Sequence, residues 1–174
     1  MLQSIHSFGE LSNFLRGAMA DEDSRELSES MSQLAAHVEA IVASLRGSQQ
    51  RATIAPMLVD LLTVLRTHRN LVVGLAPPWR SLHEYAGYVG SLNQFRVLTG
   101  QWLLDGGPRS SELQLSAEDF ELVAWRTLAQ GLLLIDMYEQ LSRGVLDGPH
   151  TMPPDTQPST SPPQAEHWWN RLRR

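Results

Sequence analysis

The sequence predicts an all-α protein: an antiparallel bundle of about five helices, then a disordered proline-rich linker, then a short terminal amphipathic peptide. Three observations predict it. Long apolar patterns recur at spacings of three and four residues, the period of a helix and not of a strand. Helix start signals stand before several of these patterns, and glycine or proline stands after them. Proline is concentrated near the C-terminus, where 6 of the 10 prolines fall in a stretch almost without large apolar side chains.

Composition sets the outer bounds. With 174 residues, 42% of them hydrophobic, the chain holds one domain's worth of core without disulfide or metal staples. Cysteine is absent, which removes disulfides, thiolate zinc sites and cysteine nucleophiles together and leaves the compartment undetermined by redox chemistry. All 14 basic residues are arginine. Lysine is absent, and asparagine, isoleucine and tyrosine are scarce with it, a pattern that reads as GC-rich coding more readily than as selection against lysine acceptors. A net charge of −5 argues against general nucleic-acid binding. Residues 1–20 lack a basic segment followed by a long apolar run, and no window approaches 18 uninterrupted apolar residues, so a soluble, cytoplasmic protein is expected.

The predicted helices follow in order. Ser7 to Glu10 has the form of a capping box, so a first helix starts there with Phe8, Leu11, Phe14, Leu15 and Met19 on one side and Gly17 weakening its end. Asp21, Glu22 and Asp23 place negative charge at the start of a second helix. Its seam runs Leu27, Met31, Leu34, Val38, Ile41, Leu45 and stops at Gly47. A third helix begins near Thr53 to Pro56 and ends near Gly74, with Leu58, Leu61, Leu62, Leu65 and Val72 on one face. Pro77 and Pro78 open a fourth helix, expected from about Trp79 to Leu104. Its main face is Leu82, Tyr85, Ala86, Val89, Leu92, Asn93, Arg96, Gly100 and Leu103, and a second stripe, Tyr88, Phe95 and Trp102, recurs every seven residues. Gly87 and Gly90 inside it suit a close approach of a neighbouring backbone.

The fifth helix, Ala117 to Arg143, is introduced by Ser116 and Asp119 and is apolar on two sides. Phe120, Val123, Ala124, Thr127, Gly131, Leu134, Ile135, Tyr138 and Leu141 form one, and Leu122, Trp125, Leu132 and Leu133 the other. A helix of this kind needs two partners, so the fourth and fifth helices are expected as the central pair. Net charge by segment is −4 over 1–47, +3 over 48–104, −4 over 105–146 and zero thereafter, which favours pairing of opposite signs between helices or subunits.

Sites of chemistry are sparse in the pattern. No Gly-x-Ser-x-Gly, phosphate-binding glycine loop or Glu-x-x-His stands in the chain, and no two of the six histidines are three or four residues apart. No catalytic residue, metal ligand or cofactor is assigned. Arg96 and Asp136 are the full charges in the apolar stretches of the fourth and fifth helices, and together they would make a buried bridge or the polar end of a pocket. With them, Tyr88, Phe95 and Trp102 form the candidate dimer or pocket face, since a spare apolar stripe has to be covered.

The domain division expected is 1–146 for the bundle, 147–165 for the linker and 166–174 for a docking peptide. That peptide, EHWWNRLRR, puts Trp168 and Leu172 on one side of a helical turn with Trp169 beside them, and Arg171, Arg173 and Arg174 supply positive charge. Two adjacent tryptophans on a tether are costly to leave in water. The expected function is therefore non-enzymatic, that of an adaptor, assembly factor or cargo-like protein attached through Trp168, Trp169, Arg171, Leu172, Arg173 and Arg174 to a protein partner or an anionic membrane surface. The reading set against it is a bundle enclosing a small molecule or metal, as a ligand-sensing regulator or enzyme.

Overall fold

The computed structural model describes residues 6–17, 22–47, 50–105 and 114–144. They form α1 (Phe8–Gly17), α2 (Glu22–Gly47), α3 (Arg51–Gly74), α4 (Pro77–Arg80), α5 (His83–Leu104) and α6 (Ala117–Ser142), with no strand among the described residues. The all-α bundle is as expected. The linker and terminal peptide lie outside the described residues.

Four long helices close a ring in which α2 packs on α3, α3 on α5, α5 on α6 and α6 back on α2. Each carries a seam at alternating spacings of four and three. On α3 it is Ile54, Leu58, Leu61, Leu65, His68, Val72, and on α6 Phe120, Ala124, Thr127, Gly131, Leu134, Tyr138, every one of them buried. Such a seam keeps one narrow stripe facing the bundle axis over the whole length of a helix. Neighbours run antiparallel: Arg46 near the end of α2 pairs with Glu121 near the start of α6, and Arg51 at the start of α3 donates to the Leu103 and Asp105 carbonyls at the end of α5. That guanidinium meets the negative end of the α5 dipole, where a cation is favoured.

Helix starts follow local chemistry. The Ser7 Oγ accepts from the Glu10 amide at 3.1 Å and the Glu10 carboxylate accepts from the His6 amide at 2.6 Å. The Ser116 Oγ accepts from the Asp119 amide at 3.0 Å. These are the reciprocal and single forms of the N-cap.

The expected fourth helix is instead two. The chain leaves helical geometry at Leu82, whose φ of −74° and ψ of 139° are extended. Trp79 turns inward to stack on Tyr138, with centroids 3.6 Å apart and ring planes 5° from parallel. Arg80 turns back to donate to the Leu75 and Val73 carbonyls at 2.7 and 2.8 Å, satisfying the open end of α3.

The expected central pair is also revised. On the second side of α6, Trp125 is met by Phe8 of α1, stacked at 4.2 Å, while Leu122 is exposed; α2, α5 and α6 each contact three helices, so no single pair is central. The α1–α2 seam is polar. Ser24, Ser28 and Ser32 are buried one turn apart on α2. The Ser12 and Ser32 hydroxyls each donate to the other residue's carbonyl at 3.0 Å, with the two oxygens 2.8 Å apart.

Opposite charges do not organise the packing. α2 is −3 (five acidic, two Arg) and α6 is −4 (five acidic, one Arg), yet they are neighbours; α3 is +2 (three Arg, one Asp) and α5 is zero. Arg46–Glu121 is the single interhelical ion pair among the described residues, and both partners come from acidic segments. Surface pairs are worth too little to override burial.

Gly90 and Gly100 sit in α5 with nothing within 4 Å of where a Cβ would be. Gly90→Ala is therefore expected to stabilise the bundle by about 0.5–1 kcal/mol, raising the melting temperature by a few degrees in a thermal scan. A lower melting temperature would show that the position needs glycine within the fold.

Candidate functional site

One layer of the bundle joins three of the four long helices through polar side chains and meets the fourth at a glycine. His68, fully buried on α3, places Nε2 2.5 Å from the Tyr88 hydroxyl of α5 and Nδ1 2.7 Å from the Ser30 hydroxyl of α2. From α6, Gly131 presents its bare backbone to the same point. A Cβ there would lie 2.6 Å from Tyr88 Cζ, 2.7 Å from the Tyr88 hydroxyl oxygen and 2.8 Å from Met31 Cε. Glycine is required here by space, so that the tyrosine ring can lie against α6.

The hydrogen bonds assign the tautomer. Tyr88 is wholly buried, and a phenol inside a protein must place its proton on an acceptor. Its O–H donates to Nε2, so Nδ1 carries the ring proton and donates to Ser30, the half-exposed member that opens toward solvent. Burial drives the His68 pKa down to about 4 because the charged ring would lose its hydration. Burial also pushes the Tyr88 phenol up, well above its ordinary range. At neutral pH the layer is uncharged, three side chains joined by two bonds.

Among the described residues, Arg96 and Asp136 do not join Tyr88, Phe95 and Trp102. Tyr88 and Phe95 are buried in the protein's own core, and Phe95 and Trp102 both pack on Phe120, at centroid distances of 5.7 and 5.6 Å. Their stripe thus faces the bundle axis and offers no free surface to a second copy. Arg96 and Asp136 are both exposed and form no bridge; the Asp136 carboxylate accepts from Gln140 at 2.7 Å. Trp168, Trp169, Arg171, Leu172, Arg173 and Arg174 lie outside the described residues.

The spacing Leu61, Leu65, His68, Val72 places His68 in the seam of α3, a signal present in the sequence. His37 is exposed with Nδ1 2.9 Å from the Gln33 carbonyl, and His83 is exposed at the start of α5. Among the described residues no group of three His, Asp or Glu could hold a metal ion. Comparison with protein-family models, curated proteins and solved structures finds no match.

Two outcomes follow from this layer. Because the folded-state pKa of His68 lies below the unfolded value of 6.5, the unfolded chain binds the proton more readily. The stability held by the neutral ring is complete above pH 6.5 and is lost as pH falls toward 4, by about 2 kcal/mol at pH 5 and about 3 kcal/mol below pH 4. Urea unfolding from pH 7.5 to 4.5 should show this slope in the wild type and lose that part of it in His68→Gln. Gly131→Ala should destabilise by about 1–3 kcal/mol through overpacking, opposite in sign to Gly90→Ala although both are helical glycines. Equal melting shifts for the two would mean that Tyr88 yields freely.

Proposed function

We propose that the protein is a non-enzymatic helical interaction protein, an adaptor, assembly factor or cargo-like protein, attached through its terminal Trp/Arg peptide to a protein partner. One observation carries the reading: how the chain spends its tryptophans. Three of the five belong to the bundle, and each has an aromatic neighbour: Trp79 on Tyr138, Trp102 beside Phe120 and Trp125 on Phe8. The other two, Trp168 and Trp169, stand side by side beyond the proline-rich stretch, with Arg171, Leu172, Arg173 and Arg174. Tryptophan and arginine are the commonest anchors of protein interfaces, and a short segment pairing them is suited to a partner's apolar groove.

The reading of a small-molecule or metal site in the core draws on the Ser30, His68 and Tyr88 cluster. Those three atoms satisfy one another, and the space beside Gly131 is filled by Tyr88 and Met31, so the cluster supports a structural use better. A cytoplasmic location belongs to the proposal; among the described residues no helix is long and apolar enough to cross a membrane.

Deleting 166–174 should leave the melting temperature within about a degree of the full chain and abolish capture of the partner, and Trp168→Ala with Trp169→Ala should do the same, removing several kcal/mol of binding. Replacing only the three arginines should weaken capture modestly for a protein groove, whereas strongly salt-sensitive binding to anionic vesicles would identify a membrane surface. A fall of many degrees on truncation would assign both tryptophans to the core of the bundle and refute the proposal.

A further inference from the structure

We propose that the outward face shared by α3 and α5 is a second binding surface, one that takes an acidic amphipathic helix of a partner protein. The surface goes beyond the terminal peptide and does not depend on it. Its first mark is on α5. Gly90, Gln94, Val97, Gln101 and Leu104 follow one another at spacings of 4, 3, 4 and 3, and all five are exposed. None carries a charge. An ordinary surface helix shows water its charged residues; α5 has a seam of helix-packing period on each side, and only the inner one is covered.

The second mark is where apolar surface is left uncovered. Of six large apolar side chains exposed among the described residues, four belong to this pair of helices: Val59 and Val73 on α3, Val97 and Leu104 on α5. The antiparallel register that sets His68 against Tyr88 also sets Val59 level with Val97, because each stands nine residues away from that pair along its own helix (68 − 59 and 97 − 88). Half-buried Leu62 extends the patch from the α3 side. The room above Gly90 and Gly100 serves no neighbour within the chain, and it would let another helix approach closely.

Charge selects the occupant. α3 is +2 and α5 is neutral, whereas α2 and α6 together are −7 (−3 and −4), so the arginine-bearing side of the bundle is the side that carries the apolar patch. Arg66 is exposed at its edge, and Arg69 is tied by one donor to Asn93 Oδ1 at 2.6 Å across the two helices. A helix with apolar residues at the same period and carboxylates on its flanks meets both features, and is repelled by the acidic opposite side. A second copy presenting this face would bring another basic or neutral surface, not carboxylates. The chain's own Trp/Arg peptide has the wrong sign. A bilayer fits less well, since the patch holds valine and leucine at a helical repeat and none of the aromatic residues that favour a membrane interface.

The test uses two synthetic helical peptides with the same leucine seam, one flanked by glutamate and one by lysine, titrated against the full chain by fluorescence anisotropy. The glutamate peptide should bind at least about tenfold more tightly, and Val97→Glu or Arg66→Glu should each weaken it by about tenfold or more while leaving the melting temperature unchanged. Amide shift changes should be confined to α3 and α5, and binding should survive removal of 166–174. Failure of the glutamate peptide to bind, equal binding of the two, or indifference to Val97→Glu would overturn the proposal. So would a wild-type dimer that Val97→Glu dissociates, which would give the face to a second copy, or adsorption to phosphatidylserine vesicles that the same change removes.

Discussion

The contact on which the bundle depends is the one between Tyr88 and His68. A phenol and an imidazole are both costly to bury unpaired, and each removes the other's cost by taking its hydrogen bond. The bond is directional, so it fixes the register of α3 against α5 more narrowly than apolar packing, which tolerates sliding by a turn. Ser30 extends the constraint to α2, and the absence of a side chain at Gly131 extends it to α6. Four helices with similar 4-3 seams could interdigitate in several ways. A register that puts Ser30, His68, Tyr88 and Gly131 in one layer pairs the polar side chains of that layer and gives the Tyr88 ring its space. In this bundle the buried polar layer is thus the element that distinguishes the native packing from its alternatives, the use of buried polarity best attested in helical assemblies.

The periodicity carried most of the fold. The seam of α2 from Leu27 to Leu45, the two-sided character of α6 and the caps at Ser7 and Ser116 were all readable, because each is written in residues a few positions apart. What misled was α5. With Glu84 and Arg96 as its only full charges, it has no polar face to say which side is inward, so the stripe through Leu82, Val89 and Arg96 looked as good as the one through Tyr88, Phe95 and Trp102. Burial went to the second because its aromatic rings interlock with Phe120, a tertiary fact with no local signature. The break at Leu82 was illegible for the same reason, since the Trp79–Tyr138 stack beside it joins residues 59 apart in sequence. His68 and Gly131 were legible in position and not in role. Both fall on a seam, but a histidine reads as a boundary residue and a glycine as a weak point until the tyrosine between them is seen.

The α1 contact is of a different kind from the ring. Its apolar part, Phe8, Leu11 and Leu15, is small, and beneath it lie Ser24, Ser28 and Ser32 in place of larger apolar residues. Ser12 and Ser32 satisfy each other, and Arg16 adds a bond to Ser32 at 3.0 Å, but the buried Ser28 Oγ finds no partner. An unpaired buried hydroxyl costs about 1–3 kcal/mol, which the short helix must recover from few apolar contacts. The Glu39 carboxylate helps by accepting the Phe8 amide at 3.1 Å, where the helix dipole favours an anion. α1 is thus held by a seam on α2 that mixes these serines with apolar residues, and by Phe8 on Trp125.

Separate attachment points make physical sense for a bundle organised in this way. Its interior is committed to packing, since the aromatic rings, the polar layer and three tryptophans all face one another. Its surface is divided by charge, with carboxylates along α2 and α6 and arginines along α3 beside an apolar strip. On the function proposed above, recognition would be a matter of faces and of the chain beyond the bundle. As a simple coil, a stretch of about 19 residues such as 147–165 would have a root-mean-square span of roughly 25 Å. A partner held by the terminal peptide would consequently meet the α3–α5 face at an effective concentration in about the millimolar range, so that two contacts of modest affinity would hold as one strong contact. Opposite signs at the two sites, a basic aromatic peptide and a face suited to carboxylates, would bind two different parts of an assembly and would not compete for the same groove.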